Sequence, residues 1–376
     1  MAVFKHQTLK NSIPDFIKLF NDSFNNRLIP FHFKFWSKST QYARADNLIL
    51  YLESKHFFIA SCLITNLYDK IKQYLDKERL PFFVREVLPG VGFGKSPQKK
   101  NVSFGVMRST IIAVEILKEL QSKSNAEPKI IFQNIENTWG GLQCFFLNPK
   151  PSFKYSFGIF SENIHLVNLS PNSKILKAAI YIANLLCREA IWLSDSTCNW
   201  MSYQEIKDNS GVKKLGYSFS NLDGGFNGIE GIFTFLKAFE SIDIKDSVIQ
   251  FVAASACKLW KTSGNQPKIQ KLFQSEPSFA ISSQVFIQPI EFSSEKFKNE
   301  VMGIITGHVS PTVRNSSFLK KAIEEHIDKE RPLGNMIDGT DNFHPDLQFG
   351  LAGYGYALLR IYAPDKIPAL SEGMII

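Results

Sequence analysis

Apolar positions recur at helical spacing over residues 8–28, where Ile13, Phe16, Ile17, Phe20 and Phe24 share one face and Asn25-Asn26-Arg27 ends the run. The next eight residues, IPFHFKFW, switch to strict alternation. Phe31, Phe33 and Phe35 fall on one side, and His32, Lys34 and Trp36 on the other, which predicts a half-buried strand. A polar connection carrying Tyr42, Arg44 and Asp46 leads to a second strand, LILYL at 48–52. A helix from Phe57 to Leu75 and a third strand, LPFFVREVL at 80–88, follow. After a glycine-rich cationic turn, a further helix is expected over 109–121. Elements mixed in this way predict a compact α+β unit, here bounded at 1–160. Its end is read as a Ser/Asn/Pro-rich linker at 122–128, then KIIFQNI, then the proline-punctuated FFLNPKPSFKY at 145–155.

From about residue 173 the pattern becomes helical, beginning with an apolar-faced helix over Ile175 to Ile191. Two later segments resemble each other, FNGIEGIFTFLKAF at 226–239 and FGLAGYGYALLRIY at 349–362. Gly228 aligns with Gly350, Gly231 with Gly353, and Leu236 with Leu358. A recurring Gly-x-x-Gly that opens an apolar helix predicts a helical array or toroid whose helix N-termini crowd a common centre. The second domain is placed at 173–376. Within it 262–345 is mixed, with the alternating AISSQVFIQPIEF at 280–292, and carries no assignment.

Composition changes this picture little. The chain of 376 residues is 44% hydrophobic, enough for two cores, and its 33 phenylalanines predict aromatic packing. A net charge of +8 suits an anionic partner, although without an arginine-rich arm nucleic acid is not expected. Five scattered cysteines argue against a disulfide framework and for a reducing compartment. The first residues lack the pattern of a signal peptide, and the apolar run at Phe57 to Leu67 is too short to span a bilayer. The expectation is a cytoplasmic protein with no membrane partner.

The chemistry concentrates in REVLPGVGFGKSPQKKNVSFGVMRST, residues 85–110. Glycine turns, the cations Lys95, Lys99 and Lys100, and Ser103-Phe104-Gly105 leading through Arg108 into a helix are what an anion site requires. The alternative is a solvated basic loop before an ordinary helix. The spacing is not that of a Walker loop. Lys34 on its alternating strand is a candidate base, or else simply the strand's exposed face, and His32 at the period-2 position is a candidate acid. Arg44, Arg85 and Arg108 would grip a phosphate, with Tyr42 and Asp46 orienting Arg44. No Cys-x-x-Cys, His-Glu-x-x-His or Gly-x-Ser-x-Gly occurs, so neither a metal, another cofactor nor a serine nucleophile is expected.

Four motifs in order carry a family resemblance. They are Phe31 to Lys34, Tyr42/Arg44/Asp46, Pro89/Gly90/Gly92 and Ser103/Phe104/Gly105/Arg108, with CFFLNPKPSFKY beyond them. Together they resemble the C-terminal half of the Hop-type type III effector family, whose bacterial members accompany modified-peptide clusters as lyases akin to phosphothreonine lyases. Met107 stands where many members carry His or Asn. The later stretches, CNWMSYQEIKDNSGVKKLGYSFSNLDGGFNGIEGIFTFLKAF and FHPDLQFGLAGYGYALLRIYAPDKIPAL, are similar to the opening and closing repeats of the lanthionine synthetase C-like cyclases. That family is an α/α toroid, commonly with zinc, and its Cys and Cys-His zinc ligands have no counterparts here.

The two resemblances together imply an α+β N-terminal domain followed by a mostly α-helical, shortened toroid-like domain. They imply a lanthipeptide-type maturation protein that eliminates phosphate from Ser or Thr of a precursor peptide phosphorylated by a separate kinase. Lys34 and His32 would be catalytic. Arg44, Arg85, Arg108 and Lys95 would bind phosphate, with Tyr42, Asp46 and Ser103 in support, and the second domain would hold the peptide or assist thioether closure. The rival expectations are a non-catalytic peptide-binding subunit of a split synthetase, completed by a second subunit, and an effector-like protein acting on host phosphoproteins.

Overall fold

In a computed structural model of the protein, the described residues are 9–35, 48–76, 80–81, 83–97, 102–122, 127–139, 144, 146–148, 155, 157–161, 164, 166, 173–194, 196–207, 213–222, 225–263, 295–308, 345–347 and 350–370. The chain divides into two compact units, Met1–Asn163 and Ile164–Ile376.

The first unit opens with α1 (Leu9–Asn25), which buries Phe16, Phe20 and Phe24. It ends in a tight reversal, where Leu28 takes a φ of 57° and the Ile29 amide returns to the Phe24 carbonyl at 3.0 Å. That reversal delivers β1 (His32–Phe35), which pairs antiparallel with β2 (Leu48–Tyr51), Lys34 opposite Ile49. The alternation expected here holds for Phe31 and Phe33, whose rings meet Phe24 and Phe20 at 5.1 and 5.3 Å. It fails at Phe35, which is 42% exposed.

The next helix, α2 (Phe57–Ile71), runs on into one tighter turn at Lys72–Tyr74 and buries Cys62, Leu63, Leu67 and Ile71. The third strand is half the expected length, because the Val84 amide bonds the Pro81 carbonyl in a turn at 3.2 Å. What remains is β3 (Arg85–Leu88), joined to an unanticipated β4 (Val91–Phe93) through Pro89-Gly90. Gly90 carries the turn at φ +79°, a conformation that disfavours any residue with a Cβ. α3 (Phe104–Ser122) starts five residues before the expected helix, so Arg108 lies inside it, and α4 (Pro128–Trp139) packs on α3.

The second unit begins with α5 (Lys174–Glu189), whose N-terminus is capped by Ser173 Oγ accepting from the Leu176 amide. The unit is mostly helical, as expected, but it also carries strands that the sequence reading did not anticipate. Two antiparallel strand pairs come next, β5 (Ile191–Ser194) with β6 (Thr197–Asn199), and β7 (Met201–Lys207) with β8 (Lys213–Phe219). Among the described residues the helices that follow are α6 (Ile229–Ser241), α7 (Ser247–Thr262), α8 (Glu295–Thr306) and α9 (Leu351–Tyr362). α9 is buried along its length up to Ile361 and packs against α5, α6 and α8.

The two Gly-x-x-Gly segments open their helices alike, with Gly228 at φ −122°, ψ −166° and Gly350 at φ −120°, ψ −168°. The helices meet where a Cβ on Gly355 would fall 2.6 Å from Cε2 of Phe235. At the far end of α9, Arg360 donates to the carbonyls of Ile304, Ile305 and Ile367, and the Tyr356 hydroxyl donates to the Pro368 carbonyl at 3.0 Å. Among the described residues no helix is long and apolar enough to cross a membrane. The stretch 280–292 lies outside them.

Candidate functional site

The β3–β4 hairpin sets up the site. Arg85 stands opposite Phe93, which puts both side chains on one face of the ladder. On that face Phe93 joins Phe57 at 4.8 Å, Tyr155 at 4.8 Å, Phe157 at 5.5 Å and Phe146 at 6.0 Å, mostly edge to face. Two cations lie over this aromatic shelf. The Arg85 guanidinium is 4.1 Å from the centroid of Phe157 and 5.5 Å from that of Phe146, while the Lys95 ammonium is 5.5 Å from that of Tyr155. Ring faces attract cations, so the shelf holds both charges in place without neutralising them. Arg85 is exposed and Lys95 partly so. Tyr155 donates to Ser54 Oγ at 3.2 Å, and burial of its ring end pushes the phenol above its usual range, partly opposed by that bond.

The glycines of the motif serve packing. A Cβ on Gly94 would lie 2.5 Å from the Phe104 ring, and one on Gly92 would lie 2.5 Å from Val84 Cγ2. The Phe104 ring that fills the space left by Gly94 also carries the Arg108 guanidinium, 3.5 Å from its centroid. Ser103 caps α3, its hydroxyl accepting from the Val106 amide at 3.2 Å. Arg108 has no exposed surface. Its Nη1 donates to the Phe104 carbonyl at 3.1 Å, and its Nη2 faces the carbonyls of Lys95 (3.2 Å), Phe146 (3.2 Å) and Leu147 (2.8 Å). Desolvation lowers its pKa to about 10, which leaves it charged at neutral pH.

Of the residues expected at the site, Arg85 and Lys95 lie over the shelf, with Ser103 capping and Arg108 inside the helix that backs the Lys95 loop. Lys34 and His32 sit on β1, both exposed, in the β1–β2 ladder rather than the β3–β4 one. Met107 is half-buried in α3. Tyr42, Arg44 and Asp46, with Lys99 and Lys100, lie outside the described residues. Sequence reasoning passed over Phe146 and Tyr155 as a domain tail, although the aromatic density of FFLNPKPSFKY was the available signal, and it did not reach Phe157 just beyond. It also passed over Trp139 and Asn148. Trp139 Nε1 donates to the same Leu147 carbonyl at 3.1 Å, and Asn148 Nδ2 donates to the Ser96 carbonyl at 3.0 Å.

In the second unit Cys187 and Cys198 are buried, and Cys198 Sγ turns toward the Val252 carbonyl at 3.6 Å. Burial, reinforced by the neighbouring Cys187, holds the Cys198 thiol well above the ordinary range, the opposite of an activated thiolate. Among the described residues no three His, Cys, Asp or Glu side chains are grouped as a metal ion requires.

Residues 7–138 match the model of the HopA1 effector protein family. No curated protein and no solved structure matches the chain.

Proposed function

We propose that the first unit binds phosphorylated Ser or Thr of a precursor peptide at the Arg85–Lys95 shelf and eliminates the phosphate. The observation that carries this reading is the pair of surface cations held over neighbouring aromatic rings, Arg85 on Phe157 and Lys95 on Tyr155. Arg85 and Lys95 both lie within the stretch, residues 7–138, that is similar to the HopA1 effector protein family.

In the elimination, Lys34 accepts the Cα proton and the released electron pair forms the Cα–Cβ double bond. The Cβ–O bond breaks, and phosphate departs with that bond's electrons. Arg85 and Lys95 stabilise the charge growing on the departing group, which lowers the barrier because the interaction strengthens as the bond breaks. His32 supplies a proton to the leaving oxygen, and Arg44, oriented by Tyr42 and Asp46, completes the phosphate grip. The second unit holds the peptide in the manner of a shortened lanthionine synthetase C-like toroid. The matched Gly-capped starts of α6 and α9 and their close approach at Gly355 support that part. The zinc ion common in those cyclases finds no fitting donor set among the described residues, and no step runs through it.

Two other readings each have an observation in their favour. Lys34 is exposed rather than enclosed as catalytic lysines commonly are, which favours a peptide-binding subunit without chemistry of its own. The match to an effector family favours action on folded phosphoproteins. One assay separates the three. A phosphoserine-containing peptide and a folded phosphoprotein are incubated with the wild type, Lys34→Ala and Arg85→Gln, and loss of phosphoric acid is read by mass spectrometry. Elimination from the peptide that Lys34→Ala abolishes without loss of binding supports the proposal. Elimination unaffected by Lys34→Ala removes that residue, binding without elimination supports the subunit, and activity confined to the folded protein supports the effector.

A further inference from the structure

We infer that Arg108 is a positioning residue for the Arg85–Lys95 shelf and does not itself touch the phosphate, an inference that rests on the phosphate reading of that shelf. A guanidinium has five N–H donors in a rigid fork. Here the fork spans carbonyls of three chain segments, Phe104 in α3, Lys95 after β4, and Phe146 and Leu147 beyond α4. Two of these residues build the shelf. The carbonyl of Lys95 belongs to the residue that carries the second cation, and that of Phe146 to a ring beneath Arg85. The same two segments are tied directly as well, by the Lys95 amide donating to the Phe146 carbonyl at 2.7 Å.

Arg108 therefore fixes the spacing between the Lys95 backbone and the aromatic floor, and through them the distance at which two surface cations can share one phosphate. Its complete burial and its seat on the Phe104 ring, against Gly94, leave it no path to a surface ligand. A lysine could not substitute, because an ammonium is a point donor that cannot bridge carbonyls of separate segments in one plane.

The test uses the full chain with Arg108→Gln, Arg108→Lys, Arg85→Gln and, as a core control, Leu63→Ala. Amide hydrogen exchange is read at Lys95 and Leu147 against the amides of α2. Affinity for a phosphoserine-containing peptide is measured by calorimetry at low and near-physiological salt. Arg108→Gln is expected to lower protection at Lys95 and Leu147 by roughly tenfold or more while α2 exchanges as in the wild type. Its peptide affinity falls, but the affinity that remains keeps the wild-type salt dependence. Arg85→Gln flattens that dependence, because a charge facing the ligand is the one that salt screens. Leu63→Ala loosens α2 without singling out Lys95. Should Arg108→Gln fail to fold, Arg108→Lys, which retains the charge, is read for the same local loss.

Unchanged protection at Lys95 in a folded Arg108 variant overturns the inference. So does a loss no greater there than in α2, or a salt dependence flattened as in Arg85→Gln. A wild type that does not bind the peptide refutes the phosphate reading instead, and the exchange comparison then still decides whether Arg108 sets the shelf.

Discussion

A methyl group added to Gly355 tests the closest approach in the second unit. In an ordinary helix interior Gly→Ala gains about 1 kcal/mol, because alanine loses less backbone entropy on folding. Here the new Cβ would lie 2.6 and 2.9 Å from Cε2 and Cε1 of Phe235, and nearer still to Cζ. Carbon atoms settle at roughly 3.5–4.0 Å, so ring and helix must part by about 1 Å. Phe235 has no exposed surface and meets Phe239 edge-on at 5.4 Å, which closes the retreat. Overpacking costs about 1–3 kcal/mol, and with the retreat closed the upper part of that range applies, about 2–3 kcal/mol, so that after the propensity gain a net loss of about 1–2 kcal/mol remains. Gly353→Ala is expected to lose more, since its Cβ would strike the Leu347 carbonyl, main chain held by amide bonds from Ala352 to Pro345 and from Gly353 to Asp346. Gly105→Ala in α3 is the internal reference. Nothing lies within 4 Å of its Cβ position, and it should gain about 0.5 kcal/mol. Urea unfolding followed by tryptophan fluorescence, to which the second unit contributes Trp192, Trp200 and Trp260, reads all three variants. A Gly355→Ala protein as stable as the wild type, or more so, would refute the close contact between α6 and α9.

Two further outcomes concern buried ionisable groups. Glu230, buried in the first turn of α6, has its carboxyl pKa raised by desolvation, so the folded state holds a proton that the unfolded chain has released. Stability of the second unit should therefore fall as pH rises from the ordinary value of 4.5 through the folded value. Glu230→Gln should remove that slope and raise the melting temperature at neutral pH, as scanning calorimetry across this range would register. Arg360→Met should destabilise the second unit by about 2–4 kcal/mol, because it leaves the carbonyls of Ile304, Ile305 and Ile367 buried without their charged donor. A urea midpoint equal to the wild type's would show that water or another donor replaces it.

The parts of this fold that could be read from sequence are those whose partners are near in sequence. α1 announced itself through phenylalanines spaced to one face, and the turn at Pro89-Gly90 through its residue types. β4, at three residues, is too short to show a period. The start of α3 was hidden because Ser103-Phe104-Gly105 reads locally as a loop, although Ser103 is the residue that caps the helix. The role of Arg108 was out of reach for a different reason. Two of its acceptors lie 38 and 39 residues away at Phe146 and Leu147, and a buried arginine looks the same in sequence as one that meets a ligand. The strand pairs β5–β6 and β7–β8 were not anticipated, and the stretch from Cys198 onward, which holds β7 and β8, was read through its likeness to an opening repeat of a helical family. β7 and β8 pair residue for residue from Met201–Phe219 to Lys207–Lys213 regardless of that likeness.

The clasp at the end of α9 has a bearing on how the protein is made. The Ile304 carbonyl accepts from the nearby Gly307 amide, but its charged donor lies 56 residues later, at Arg360, and the Leu370 amide comes back to the Ile305 carbonyl after that. During synthesis α8 therefore emerges from the ribosome well before Arg360 and Leu370, and the full set of bonds at its end waits for residues 360–370.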